Sequence, residues 1–195
     1  MKKIILIILT TISLFSCSSD DSSNNQNNNI DGFYIGNNFN STNNGYFTHE
    51  SDGTGYKNLI ILTDGTVNSN PYDADNINLN NYSNNTSNLL ILTVNSTSTS
   101  SIEEGTYNLD TTQYAGSGNL YWATFIAGIT INNNLIDTYN YESYTSNSST
   151  NPITSGSLTI TKNGTIYNLN YTFQQNGSTI NGSYVGELFE LEYTE

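Results

Sequence analysis

The stretch GSLTITKNGTIYNLNYTFQQNGSTINGSYVGELFELEY, residues 156–193, decides the fold. Two Asn-Gly dipeptides, Asn163-Gly164 and Asn176-Gly177, separate runs in which apolar and polar residues alternate. Asn-Gly between such runs is the strongest short-range hairpin signal, because a type I′ turn needs positive φ at both central positions. The segment therefore reads as an antiparallel meander: strands at 156–161, 165–174, 178–184 and, past Gly186, 187–193. Ile166, Leu169 and Phe173 do not hold one strict alternation, which predicts a bulge within 167–170.

The same signals recur upstream. Residues 120–131 (LYWATFIAGITI) make the longest apolar run of the domain. Ala123, Ala127 and Gly128 would also suit a helix, but the β-branched and aromatic majority favours a strand with a bulge at Gly128. Residues 135–144 (LIDTYNYESY) read as its return strand across Asn132 to Asn134, and 145–154 as a polar loop. EGTYNL (104–109), NLLILTVN (88–95) and YKNLIILT (56–63) are further strands. The last is ended by Asp64-Gly65, a hairpin-type dipeptide, with 66–69 starting back. NLLILT resembles NLIILT almost letter for letter, as an internal repeat would, although two buried strands of similar composition converge in the same way. Ile77, Leu79 and Tyr82 alternate as a weak or edge strand in an Asn-rich segment. Residues 30–35 give a first short strand, 36–45 an exposed Asn/Ser/Gly loop, and 46–48 another short strand.

Composition agrees with this pattern: 11% of residues are charged, while 15 tyrosines and 7 phenylalanines join many Ile, Leu and Thr. Such residues favour pleated, half-buried surfaces. About nine or ten strands with no helix after the N-terminal segment leave two architectures, a closed barrel or a two-sheet sandwich. The run of consecutive hairpins favours the barrel: an all-β domain whose antiparallel meander closes as a lipocalin-like up-and-down barrel, with the two-sheet β-sandwich as the alternative.

The chain opens with Lys2 and Lys3, an apolar run from Ile4 to Phe15, then Ser16 and Cys17, the only cysteine. A positive start, an apolar run too short to span a bilayer and a small residue before the cut make a signal peptide. Leu14-Phe15-Ser16-Cys17 resembles the lipobox of bacterial lipoproteins, and LFSC followed by serines and acids resembles the variant of uncharacterised Bacteroidota surface lipoproteins. The closing hairpins look like those found in many of these proteins, but they are turn chemistry and carry no functional residue over. The resemblance implies removal of residues 1–16 and acylation of Cys17. The lipid chains would then hold the protein on a membrane at about 0.8 kcal/mol for each buried CH₂. Ser18 to Asn29 holds no apolar residue and reads as a disordered tether, 17–29 with its cysteine, before a single domain at 30–195. Asp20 and Asp21 resemble the acidic export signal that places such lipoproteins on the outer face of the outer membrane.

Charge narrows the partners. Cleavage leaves Lys57 and Lys162 against all 17 acids, a net of −15 with His49 neutral. Such a surface has nothing with which to grip phosphate backbones, so nucleic acid is not expected as a partner. With Cys17 acylated, no thiol remains for disulfide or nucleophilic chemistry.

Catalytic signals are sparse. A Ser-His-acid triad would have to use His49, which sits in the polar stretch HESDGTG and reads as a loop histidine; no Gly-x-Ser-x-Gly elbow accompanies it. His49, Glu50 and Asp52 make a poor zinc set with one histidine and no free cysteine. A glycosidase needs two facing carboxylates, for which Glu103, Glu104, Asp137 and Glu142 are candidates. No cofactor is expected beyond an opportunistic Ca²⁺. Asp73 and Asp75, with Asn76, place oxygens at alternating positions, but Ile77 stands where a calcium loop needs a donor, and a plain Asn/Asp turn explains the cluster as well.

Two binding features stand out. Tyr139 and Tyr141 share a strand face, with Tyr114, Tyr121 and Trp122 near in sequence; on a surface these rings would stack on sugars, and in a core they would simply fill a barrel. Asp110-Thr111-Thr112 resembles the short O-glycosylation acceptor of Bacteroidota, with Thr111 as the site. The expected function is a non-enzymatic outer-membrane lipoprotein that binds a glycan or a small apolar ligand. The rivals are a structural or shielding surface protein and, behind it, a hydrolase. A lumenal binder needs an unfilled barrel, glycan binding wants aromatics ranged on one exposed face, and a hydrolase wants paired carboxylates in a cleft.

Overall fold

The computed structural model describes residues 31–51, 55–68, 72–73, 76–77, 81–96, 102–112, 118–132, 135–136, 142–146 and 148–191. Among them are fifteen strands and no helix longer than one residue. The first seven are β1 (Gly32–Ile35), β2 (Asn38–Ser41), β3 (Asn44–Ser51), β4 (Tyr56–Thr63), β5 (Tyr72–Asp73), β6 (Asn76–Ile77) and β7 (Asn88–Ser96). Then come β8 (Gly105–Leu109), β9 (Asn119–Ala127), β10 (Ile131–Asn132), β11 (Leu135–Ile136) and β12 (Glu142–Ser146). The chain closes with β13 (Pro152–Asn163), β14 (Ile166–Gln175) and β15 (Ser178–Glu190).

The C-terminal hairpins form, with one turn different from expectation. Gln175 pairs with Ser178, so Asn176 and Gly177 are the two central residues, at φ 44° and 83°, the type I′ signature. In the other hairpin Asn163 pairs with Ile166, which makes Gly164 and Thr165 the central pair. Only Gly164 there has positive φ, 64°, the II′ pattern with glycine first. The bulge expected at 167–170 is absent, since β14 pairs with β15 without a slip from Ile166 to Gln175. Tyr167, Leu169, Tyr171 and Phe173 keep strict period two facing inward, and Ile166 is simply the outward residue, 40% exposed. The register breaks lie at Ile153/Ser155 and at Thr93/Val94, where Tyr121 is the extra residue.

The wall closes on itself. Going around, β3, β4, β7, β9, β8, β13, β14 and β15 each bond the next, and β15 returns to β3, an eight-stranded barrel. Three contacts depart from a purely antiparallel meander: β12 beside β13, where Thr145 and Ser146 pair in parallel with Pro152 and Ile153, and the two that follow. β15 meets β3 in parallel through Leu188↔Gly45 to Glu190↔Phe47, and β8 meets β9 in parallel through Asn108↔Asn119 and Leu109↔Leu120. The second arises because two short strands share one place between β9 and β13: β8 fills one end, and β12 fills the other. The expected return strand 135–144 is accordingly divided. Leu135–Ile136 pairs only with Ile131–Asn132, and Glu142 onward pairs with β9. Gly128, φ 76°, ends β9 rather than bulging within it.

On its free edge β15 also carries β1, and β1 carries β2. The segment 36–45, expected as an exposed loop, thus contains a strand, because Phe39 alternates with Asn38 and Asn40 opposite Tyr34. Phe33 and Ile35 of β1 reach the barrel core, and the Asp31 carboxylate accepts the Val185 N–H at 2.7 Å, fixing the start of β1 on β15.

The lumen is full. Phe33, Phe125 and Phe173 meet edge-on at centroid distances of 5.2–5.3 Å, with Leu62, Leu90 and Leu158 among the residues buried around them. A second apolar layer lies outside the wall, where Leu59, Ile61, Leu89, Ile91 and Ile126 are covered by Val67, Tyr82, Ile129 and Ile131. β4 and β7 are therefore buried on both faces, which is why NLIILT and NLLILT look alike. They pair directly and antiparallel, Ile61 opposite Ile91. The covering segment also explains Asp64-Gly65, which starts no hairpin with β4. The chain leaves the wall there, bridges Val67 to Tyr82, and returns at Asn88, where Asp64 Oδ1 accepts the N–H groups of Ser87 and Asn88 at 2.8 and 2.9 Å. On β14 the alternation is apolar inside and polar outside, the reverse of a transmembrane barrel.

Burial has a titration consequence. It pushes the Tyr184 hydroxyl up to about 12, with the Asp31 charge as the next cause, and burial likewise raises Tyr171 well above the usual phenol range. Between roughly pH 10, where the unfolded phenol ionises, and 12 the unfolded chain loses protons that the folded one keeps, so stability falls as pH rises. Absorbance of tyrosinate against pH should show Tyr171 and Tyr184 ionising only together with loss of far-ultraviolet β signal.

Candidate functional site

The two ends of the barrel differ chemically. At the end where β1 packs, the lumen is apolar, with Phe33, Ile180 and Phe173 fully buried. At the other end the inward positions turn polar. Phe47 and Ile60 face the lumen, and two residues further along their strands stand His49 and Asn58, directly opposite each other in the β3–β4 pair. Ser96 on β7 continues the inward row of Leu92 and Val94 and lies opposite Tyr56.

Hydrogen bonds organise much of this end. Ser96 Oγ donates to Glu103 Oε2 at 2.7 Å, and the Tyr107 hydroxyl donates to the Glu103 carbonyl at 2.8 Å. Burial, then the Glu103 charge, raises the Tyr107 pKa. Glu104 Oε1 accepts the Lys162 N–H at 2.7 Å, while Lys162 Nζ stands 4.6 Å from the Tyr167 ring centre. His49 Nε2 lies 3.8 Å from Glu190 Oε1, an ion-pair distance rather than a hydrogen bond. Asn58 is the exception. It is 0% exposed, and neither its Oδ1 nor its Nδ2 has a hydrogen-bond partner; the buried Nδ1 of His49 has none either.

His49 is thus a lumen-facing strand residue, not the loop histidine that HESDGTG suggests. Sequence reasoning missed the pairing because strand β3 was read as three residues, 46–48; once Asn44–Ser51 is seen as one strand, alternation from Phe47 puts His49 inside.

The other expected site residues are dispersed. Tyr121 and Trp122 are half-buried on β9 with ring centres 6.4 Å apart, and the indole N–H donates to Thr124 Oγ1 at 2.8 Å. Tyr114, Tyr139 and Tyr141 lie outside the described residues, as do Cys17, Asp20, Asp21, Asp75 and Asp137. Asp73 belongs to the short β5–β6 pair. Among the described residues no three His, Cys, Asp or Glu side chains gather as a metal group. Thr111 sits in a turn built by Asp110, whose carboxylate accepts both the N–H and the hydroxyl of Thr112; these bonds hold the Asp110 pKa below its ordinary value. Glu103 and Glu104 stand at the polar end, whereas Glu142 pairs opposite Ala127 at the other.

Three exposed rings, Tyr34, Phe39 and Phe189, which sequence reasoning did not single out, occur in two ring pairs, the last with the half-buried Tyr46. Tyr34 and Phe39 lie 5.0 Å apart on the β1–β2 hairpin, and Tyr46 and Phe189 lie 6.2 Å apart where β3 meets β15. Alternation opposite a known partner strand is the signal that would have found them.

Comparison with family models, with curated proteins and with solved structures yields no match. The site must be read from its own chemistry.

Proposed function

We propose that this protein is a non-enzymatic surface lipoprotein, anchored through Cys17 to the outer membrane, whose barrel is a rigid scaffold for contacts with a glycan. The observation that carries the choice of ligand is the packed lumen. Phe33, Phe125, Tyr171 and Phe173 occupy the space in which a lipocalin-type barrel would hold an apolar molecule. That weighs against the small apolar ligand and leaves polar ligands taken at the barrel end or on the exposed Tyr34–Phe39 pair, where sugars find aromatic faces and hydrogen-bonding groups together.

The same packed lumen supports the structural or shielding reading, since a solid barrel needs no ligand to be useful as a spacer. The polar end favours binding: an amide buried without partners is costly in a domain that has only to be stable. The test is native mass spectrometry of the protein taken from its own cell and challenged with a panel of glycans and lipids. Glycan capture supports the reading. Lipid capture alone overturns the choice of ligand, and silence toward both, beside a control binder that responds, moves the conclusion to the shielding role.

The anchor has its own test. Cys17→Ala should move the protein from the membrane pellet to the soluble fraction, because the variant cannot carry the acyl chains that would hold it there. Unchanged tight membrane association would refute lipidation at Cys17.

A further inference from the structure

We propose that a neutral polysaccharide chain binds across the outer face of the wall, along a row of side chains that runs perpendicular to the strands and ends on the Tyr34–Phe39 ring pair. This rests on the glycan reading above and deepens it by naming the surface and the class of sugar.

The row follows from the register. Asn108 on β8 lies opposite Ser157 on β13, Ser157 opposite Thr172 on β14, and Thr172 opposite Asn181 on β15. Asn181 in turn lies opposite Tyr34 on β1, and Tyr34 opposite Phe39 on β2. Their strand neighbours Tyr107, Leu158, Tyr171, Phe173, Ile180 and Phe33 belong to the core, so alternation turns the row outward. With strands about 4.8 Å apart, six of them make a track about 24 Å long, room for several linked sugar rings. Ser157 is half-buried and the other five are exposed, so a chain can lie along the row without entering the protein.

The row also differs from its flanks in what its polar groups do. On one side Gln174 Nε2 donates to Thr179 Oγ1 at 3.2 Å. On the other, the Thr106 and Thr159 hydroxyls bond each other at 3.1 Å, and Asn170 Nδ2 donates to Asn168 Oδ1 at 2.9 Å. Between them, the side chains of Asn108, Ser157, Thr172 and Asn181 make no hydrogen bond to another described residue. Four adjacent strands thus present a line of amide and hydroxyl groups whose capacity is open to a ligand.

Charge selects the ligand's class. Residues 163–186, which supply β14 and most of β15, hold no charged side chain, and neither do 32–48 or 105–109, in a chain with 17 acids. A cation would find no carboxylate along the row, and an anion would meet the field of a strongly acidic protein. An apolar ligand would strip water from the four polar side chains without replacing it. A neutral polysaccharide fits both parts of the track. Its hydroxyls donate and accept, as those of Ser and Thr do, and the C–H face of a pyranose packs on Tyr34 and Phe39. These rings lie 5.0 Å apart and are 40% and 37% exposed. The Phe39 ring is seated over Gly32, where a Cβ would stand 2.7 Å from its Cζ, so the platform is in place before a ligand arrives.

The test is titration calorimetry of the whole protein with cellohexaose, laminarihexaose and mannohexaose, the disaccharide of each, and the polyanion hexagalacturonate. At least one neutral hexasaccharide should bind, at least tenfold more tightly than its disaccharide and more tightly than hexagalacturonate. Tyr34→Ala should weaken it roughly tenfold and Asn181→Ala roughly three- to tenfold, while Phe189→Ala leaves it unchanged. If a variant fails to fold, the length dependence in the unaltered protein still decides. Any other glycan captured from a wider panel is put through the same comparison. Binding that is indifferent to Tyr34→Ala and Asn181→Ala, or a disaccharide as tight as its hexasaccharide, overturns this face while leaving the glycan reading in place. Silence toward the hexasaccharides and the panel alike overturns both. Self-association that Tyr34→Ala abolishes, with no sugar response, would instead make the face a contact between copies of the chain and overturn the proposal.

Discussion

Phe125→Ala is expected to cost about 3–5 kcal/mol of stability, the range for deleting a fully buried aromatic ring from a core that cannot collapse around the loss. Phe125 is 0% exposed and sits at the junction of three parts of the wall. Its ring meets Phe33 of β1 at 5.3 Å and 75°, Phe173 of β14 at 5.2 Å and 66°, and Tyr171 at 6.1 Å. Truncation therefore removes the ring's own burial and two edge contacts worth about 0.5–1.5 kcal/mol each. A closed barrel is poorly able to relax inward, because each strand is bonded on both sides. The measurement is urea or guanidinium unfolding, with Phe189→Ala as the control. That ring is 56% exposed, and its loss should stay within about 1 kcal/mol. A Phe125→Ala midpoint close to that of the control would mean the lumen is loosely filled, and would restore the possibility of an apolar ligand inside it.

How much of this was legible beforehand depends on the range over which each signal acts. The hairpin at Asn176-Gly177 is fully local: the dipeptide supplies both positive-φ residues, and the alternation on β14 and β15 fixes which side faces the core. Asn163-Gly164 has the same two letters, yet the turn sits one residue later, at Gly164-Thr165. Turn composition alone does not choose the register, and neither does the inward set: moving the turn by one residue shifts the pairing by two, so Leu158, Ile160, Leu169 and Tyr171 face the core with either turn. The sharing of one wall position by β8 and β12 is non-local and has no sequence signature. It requires only that two short strands, far apart in the chain, have lengths that sum to the span left between β9 and β13. The inward Asn58–His49 pair was hidden for a related reason. YKNLIILT reads as an apolar strand with a polar start, and nothing within it tells that Asn58 is 0% exposed rather than at a wet rim.

Gly182→Ala should be nearly as damaging as loss of Phe125, through too much matter rather than too little. At this position β15 is crossed by Tyr171, which lies directly opposite on β14 and reaches over the glycine to donate its hydroxyl to the Gly32 carbonyl at 2.9 Å. A Cβ on residue 182 would stand 2.2 Å from that same carbonyl oxygen, 2.6 Å from Tyr171 Cε2 and 2.8 Å from its hydroxyl oxygen. Backbone φ is not the difficulty, since Gly182 is not among the residues with positive φ. The difficulty is that the nearest atom is main chain on β1, so no rotamer change can clear it. Relief requires β1 to move off β15, which breaks the Tyr171 hydrogen bond and draws Phe33 away from Phe125. The expected cost is about 3 kcal/mol, the upper part of the usual overpacking range. Gly164→Ala provides the contrast: φ is 64° but no atom lies within 4 Å, so the penalty should be the left-handed strain alone, about 1 kcal/mol. Denaturant midpoints compare the two, and hydrogen exchange of the Phe33 to Ile35 amides locates the damage. Faster exchange confined to β1 in Gly182→Ala would show that the hairpin is forced off the barrel while the wall survives. A variant within about 1 kcal/mol of wild type, with β1 still protected, would refute the close crossing of Tyr171 over Gly182.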